Sequence, residues 1–222
     1  MVDAVRSLLL FFTALFPIVD PLGGSPIFLA MTSEYSPGTR RELSWRIAMD
    51  SFFLLVGSYF IGTHVLAFFG ISLPVVQVGG GLVVIATGWT LLKQGNIDEP
   101  KEVKPNVQST DPFRNAFYPL TLPLTVGPGS ISVAITLGAN AARHQGDNLM
   151  VVLVAIVGSV LLALSIFLCY GFADRLGRVL GATGMTVIVQ LTSFLLLCIG
   201  VQILWNGIRA LLEQVHLHMR PI

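Results

Sequence analysis

Charge is what this sequence has least of. Lysine, arginine, aspartate and glutamate supply 11% of its 222 residues, against roughly 25% in an ordinary soluble domain. With 54% hydrophobic residues, the composition excludes a water-exposed globular surface and describes a chain solvated by lipid. Cysteine is also scarce. Cys169 and Cys198 stand alone in apolar runs, with no CxxC pair and no metal-ligand spacing, so both read as packing residues. No basic patch alternates with aromatics and the formal net charge is only +1, which leaves no nucleic-acid surface. The spans contain no HExxH pair and no Ser-His arrangement, and the tail pair His216 and His218 has no third ligand nearby. No catalytic residue, cofactor or metal is therefore expected. Without an ATP-binding motif, any transport has to draw on a gradient.

Long apolar runs are what the sequence has instead. Ile71 to Leu92, Asn115 to Ala142, Leu149 to Ala173 and Met185 to Ile208 are each long enough to cross a bilayer core. Ser7 to Thr32 is interrupted only by Asp20, and Ile47 to Phe69 only by Asp50 and His64. The expected architecture is an all-α membrane protein with six spans. The first run is too long for a cleaved signal peptide and lacks a small-residue cleavage site, so it is read as a span. Lysine and arginine set the orientation: Arg6, Arg143, Arg209 and Arg220 fall on the side of the termini, while nine others fall on the opposite side. Both termini are expected to be extracytoplasmic. The segment 93–114, with eight charges and three prolines, reads as a cytoplasmic linker between two three-span halves, 1–92 and 115–222.

The first span contains "FPIVDPLGGSP" and the fourth contains "YPLTLPLTVGPGS". At an offset of 102 residues, Pro17 matches Pro119, Pro21 matches Pro123, Leu22 matches Leu124 and Pro26 matches Pro128. Three spans separate the copies, so the second enters the membrane from the opposite face, as in the inverted repeats of secondary transporters. Each proline removes an amide donor and clashes with the turn before it. Helices 1 and 4 are therefore expected to break at membrane depth, which is tolerated only where protein or a water-filled cavity satisfies the freed backbone.

In the first copy Gly23 and Gly24 loosen the chain, and Ser25 before Pro26 reads as the cap and first residue of a second half-helix. In the other copy Gly127, Pro128, Gly129 and Ser130 have the same pattern, and a helix start there presents bare amides and a positive dipole end, suited to a carboxylate. Asp20, beside Pro21, is the acidic residue nearest the middle of a span. A charge at that depth costs about 3 kcal/mol. It can hold a ligand ammonium or exchange a proton during transport; the plain alternative is a neutral or solvated carboxyl capping loose backbone.

Other candidate contacts are Thr121 and Thr125 beside the fourth-span break, and Gln77 and Gln190 early in the third and sixth spans, where a helix-to-helix hydrogen bond is an equal reading. The row Ala155, Ser159 and Ala163 and the run Gly79, Gly80 and Gly81 suit close helix packing. The former is also compatible with a homo-oligomer.

These strings, together with "FGISLPVVQVGGGLVV" in the third span and "GVQILWNGI" near the end, resemble the MarC family of multi-pass membrane proteins over nearly the whole chain. The proline-rich fourth-span string is the most specific. The family's hallmark Asn-Pro or Asp-Pro of the first break falls on Asp20 and Pro21, and its Gly-Pro-Gly on Gly127, Pro128 and Gly129. Members include small neutral amino acid transporters, so the resemblance implies carriage of a glycine- or alanine-like zwitterion. The expected function is secondary transport across the cell (inner) membrane by alternating access, with proton coupling through Asp20 as a hypothesis within it. The alternatives are a carrier or exporter of another small solute, a channel, and a membrane scaffold or regulator. A diaspartyl protease would need a second carboxylate sharing a proton with Asp20.

Overall fold

The computed structural model describes residues 2–94, 113, 115–144 and 148–218. Among these the chain is helical, without strands: α1 (Val2–Val19), α2 (Pro21–Met31), α3 (Pro37–Phe68), α4 (Leu73–Gln94), a proline-interrupted segment Ala116–Thr125, α5 (Pro128–His144), α6 (Asn148–Gly171) and α7 (Ala173–His218). The linker expected over 93–114 lies outside the described residues, apart from Lys93, Gln94 and Phe113. The side chains of His216 and His218 lie outside them too.

Five stretches are long and apolar enough to cross a membrane: Val5–Met31, Pro37–Phe68, Leu73–Lys93, Leu149–Gly171 and Thr183–Gln214. The segment Ala116–Thr125 with α5 makes a sixth, bent by 69°. Six crossings leave α2, the start of α3, the end of α4 and the start of α7 on one face, called here the linker face.

The second span begins at Pro37, ten residues before the expected Ile47. Ser36 caps it, its hydroxyl accepting the Thr39 amide at 3.2 Å, and Pro37 fills the first helical position, where no amide is needed. Arg40, Arg41 and Arg46 therefore ride on the helix. Its 32 residues span about 48 Å at 1.5 Å per residue, longer than a ~30 Å hydrocarbon core, so the arginine-bearing turns can reach the aqueous interface. At the far end Gly70 takes φ 66°, and the Ile71 amide closes back on the Leu66 carbonyl at 2.9 Å.

Helices pair in a pattern that maps onto itself when the first span is exchanged with the fourth, the second with the fifth and the third with the sixth. α3 packs on α6, and α4 on α7. The contact of α3 with α5 is matched by that of α6 with α1 and α2, and the contact of α4 with α5 by that of α7 with α2. Glycines set the closest approach. A Cβ on Gly88 would lie 2.9 Å from both the Ser193 carbonyl oxygen and the Leu197 nitrogen. On Gly207, which follows Gly88 by 119 residues, it would lie 2.8 Å from the Pro74 oxygen and the Val78 nitrogen. Pro74 and Val78 precede Ser193 and Leu197 by the same 119 residues. Small residues let backbones touch in this way, where lipid offers no hydrophobic gain for association.

The row Ala155, Ser159 and Ala163 is used inside the fold. Ala155 and Ser159 are fully buried, and Ala163 packs against the apolar cluster that holds Phe28, Ile47, Ile166 and Tyr170.

Candidate functional site: a cavity between two interrupted helices

The first interruption is a single left-handed residue. Asp20 adopts φ 45° and ψ 61°, α1 ends at Val19 and α2 starts at Pro21. Asp and Asn tolerate this region because a short polar side chain can bond locally. Here the Asp20 carboxylate accepts the Gly23 amide at 3.0 Å while its carbonyl accepts the Gly24 amide at 2.9 Å. Asp20 is thus the cap of the second half-helix. That corrects the expected cap at Ser25 with Pro26 as first residue. Ser25 is buried one turn inside α2, its hydroxyl bonded to the Pro21 carbonyl at 2.7 Å, and Pro26 sits within the same helix. Pro17 lies in the last turn of α1. Because prolines lack N–H groups, Pro21 and Pro26 leave the carbonyls of Pro17 and Leu22 without helical donors.

The second interruption is larger. Tyr118 and Leu122 are extended, each followed by a cis proline, Pro119 and Pro123. Two threonine hydroxyls brace this segment with a four-residue repeat: Thr121 donates to the Ala116 carbonyl at 2.8 Å and Thr125 to the Leu120 carbonyl at 2.7 Å. α5 then starts at Pro128, as the sequence suggested, and Ser130 turns its hydroxyl back to the Gly127 carbonyl at 2.9 Å. The amides of Gly129 and Ser130, at the start of the helix, have no carbonyl within it to bond.

Between the two interruptions lies a cavity of about 330 Å³. Asp20, Gly23 and Gly24 line it from one side, Thr125, Gly127, Gly129 and Ser130 from the other, with Pro119, Pro123 and Pro128 along the second wall. Val83, Thr87 and Leu91 of α4 and Leu196 of α7 complete it, and Met31 and Leu91 carry it toward the linker face. The wall is mostly apolar, so Asp20, Thr87, Thr125, Ser130 and the α5 amides are its means of orienting a polar ligand.

Five of the sequence candidates lie off this wall. Pro21, Ser25 and Thr121 are buried beside it and shape the interruptions. Gln77 reaches from α4 to α5, its amide donating to the Thr136 hydroxyl at 3.4 Å, and Gln190 lies on α7 away from the lining.

Two residues the sequence did not single out, Thr192 and Tyr170, belong to the site's support. The Thr192 hydroxyl on α7 reaches the Asp20 carboxylate. Tyr170 on α6 is buried, stacks on Phe28 of α2 at 4.7 Å, and shares a 3.0 Å hydroxyl contact with Thr125. It touches the walls of both interruptions at once. Asp50 on α3 faces the Thr121 hydroxyl in a separate pocket with Arg46, Phe113 and Phe117. Asp20 and Asp50 thus occupy different pockets and do not form a proton-sharing pair.

A sequence pattern described as MarC family integral membrane protein matches residues 5–212. The chain belongs to the MarC family. It is 30% identical to the inner membrane protein MarC of Salmonella typhimurium over 222 residues, covering 97% of this chain and all of that one. The MarC protein of Citrobacter koseri is 31% identical over 223 residues at the same coverage. No solved structure matches. MarC membership and the apolar helices together make this a membrane protein.

Proposed function

We propose that this MarC-family chain is a secondary transporter of small neutral amino acids, glycine- or alanine-like zwitterions, across the inner membrane. The observation that carries the reading is the cavity walled by both interrupted helices, with a carboxylate on one wall and a helix start on the other. Asp20 takes the ligand ammonium, and the Gly129 and Ser130 amides, at the positive end of α5, take its carboxylate. The linker face is cytoplasmic in this reading and both termini are extracytoplasmic.

Alternating access follows from two inverted three-span halves, residues 1–92 and 115–222, moving around the cavity. Support comes from the exchange of glycine contacts between α4 and α7 at one offset, together with the self-matching set of helix pairs. Proton coupling runs through Asp20, whose position in the interruption joins cavity, α2 and Thr192.

The test is uptake of labelled glycine or alanine into proteoliposomes under an imposed pH gradient, comparing the intact chain with Asp20→Asn. Saturable uptake that follows the gradient and loses its dependence in the variant supports the whole reading. Uptake unchanged in the variant keeps the carrier and removes Asp20 as the coupling residue. Absence of uptake for every small neutral amino acid, in folded protein, rejects the substrate class.

A further inference from the structure

A second concavity lies on the opposite side of α2. The central cavity takes Gly23, Gly24, Ile27 and Met31 from that helix, whereas its Pro26, Leu29 and Ala30, with Ser33 in the turn beyond it, line a groove of about 500 Å³ against α7. Helical spacing puts the two sets on different faces, so α2 is a wall one helix thick between site and groove.

The groove's other wall is the first limb of α7, Ala173 to Leu180, which ends where Gly181 takes φ 65° and the membrane-crossing limb begins. That limb is amphipathic in a particular way. Val179 is 85% exposed and Leu180 is exposed too, while Asp174, Arg175 and Arg178 are its charges. The Asp174 carboxylate is already taken by Arg40 of α3. Among the described residues no carboxylate pairs with Arg175 or Arg178, so the limb presents net positive charge beside apolar surface. Exposed aromatics mark the depth: Trp45 meets Phe167 edge-on at 5.6 Å and Arg175 lies 5.2 Å over Phe172, as in the aromatic belt at headgroup level.

We propose that this groove is a binding site for an anionic phospholipid, with its phosphate on Arg178 beside Ser33 and an acyl chain along Leu29, Ala30 and Met185. Arginine matches phosphate by paired donors, and basic pockets between spans on the cytoplasmic side are suited to anionic headgroups. A lipid seated there bears on the back of the helix whose front carries Gly23 and Gly24, which gives the bilayer's composition a route to the central cavity.

The test uses the full chain in neutral detergent, with thermal unfolding followed as phosphatidylglycerol or phosphatidylcholine is added at equal concentration. Phosphatidylglycerol is expected to raise the midpoint more than phosphatidylcholine, with an increment that grows with its concentration as for any ligand of the folded state. Arg178→Gln is expected to abolish that increment. Ala30→Trp, which fills the groove and keeps the arginine, is expected to do the same and decides the matter if Arg178→Gln does not fold. Equal effects of the two lipids, an increment surviving in the variants that fold, or the same increment from inorganic phosphate would overturn the proposal. The readout is stability, so the outcome does not depend on which solute the central cavity carries.

Discussion

Gly81 and Gly200 face each other across α4 and α7. A Cβ on Gly81 would lie 2.9 Å from the Gly200 carbonyl oxygen, and a Cβ on Gly200 would lie 3.0 Å from the Gly81 carbonyl oxygen. The atom met in each of these two contacts is a backbone oxygen, which cannot swing aside as a side-chain tip can. Gly81→Ala and Gly200→Ala are each expected to destabilise the protein by about 1 to 3 kcal/mol, the usual cost of overpacking. Gly79, with nothing within 4 Å of its Cβ position, serves as the control, and Gly79→Ala should be neutral or slightly stabilising. Thermal unfolding in detergent ranks the three. Equal stability of Gly79→Ala and Gly81→Ala would contradict the packing.

How much of this was written in the sequence differs from element to element. The spans were legible because apolar runs longer than 20 residues have few soluble uses, and the start of α5 was legible because Gly-Pro-Gly-Ser spells a helix start. The start of α3 was missed: the apolar run begins only at Ile47, after Arg40, Arg41 and Arg46, yet a helix can continue out of the membrane and keep its arginines at the interface. The first cap was misplaced on Ser25 because a Ser-Pro pair is the commoner signal, while the left-handed capping geometry of Asp20 depends on side-chain bonds that no spacing shows. Tyr170 and Thr192 carry no motif at all. They matter through contacts 45 and more residues distant in sequence, which only the fold brings together.

The ion pair of Arg40 with Asp174 ties the start of α3 to the start of α7, and the Arg40 Nε also donates to the Tyr35 carbonyl at 3.0 Å. Arg40 is 14% exposed and Asp174 35%, so the pair is partly screened rather than dry. Removing either charge is expected to cost about 1 to 2 kcal/mol, less than a fully buried pair. In a double-mutant cycle, Arg40→Gln with Asp174→Asn should cost less than the sum of the two single changes. Strict additivity in unfolding would mean that the contact contributes nothing.

Tyr170 offers a cleaner dissection, because its ring and hydroxyl do different things. Tyr170→Phe keeps the stack on Phe28 and loses the 3.0 Å contact with Thr125, an expected loss of about 1 kcal/mol. Tyr170→Ala also opens a cavity in the cluster and should cost about 3 to 5 kcal/mol. If the hydroxyl holds the second interruption in place, Tyr170→Phe should also change the KM for transport by more than its small stability loss would suggest, with Phe28→Leu as the packing control. Unchanged stability and unchanged KM in Tyr170→Phe would remove the residue from the site's support.

Asp20 serves as cap, left-handed residue and carboxyl on the cavity wall, and three substitutions separate those roles. Asparagine keeps an acceptor for the Gly23 amide and tolerates positive φ, so Asp20→Asn should fold nearly as well as the parent. Alanine loses the cap and pays for the left-handed backbone, an expected cost of about 2 to 3 kcal/mol when the cap and backbone penalties are combined. Glycine relieves the backbone but not the cap, and should fall between the two. That order, asparagine above glycine above alanine in unfolding midpoint, tests the local geometry with no reference to transport. Flux then tests the charge: a proton-coupled carrier loses its response to the pH gradient in Asp20→Asn although the protein remains folded. A variant that folds, binds and still follows the gradient would leave Asp20 as a structural cap and move the search for the coupling group to Asp50, a half-buried acidic residue within a span and set beside the second interruption.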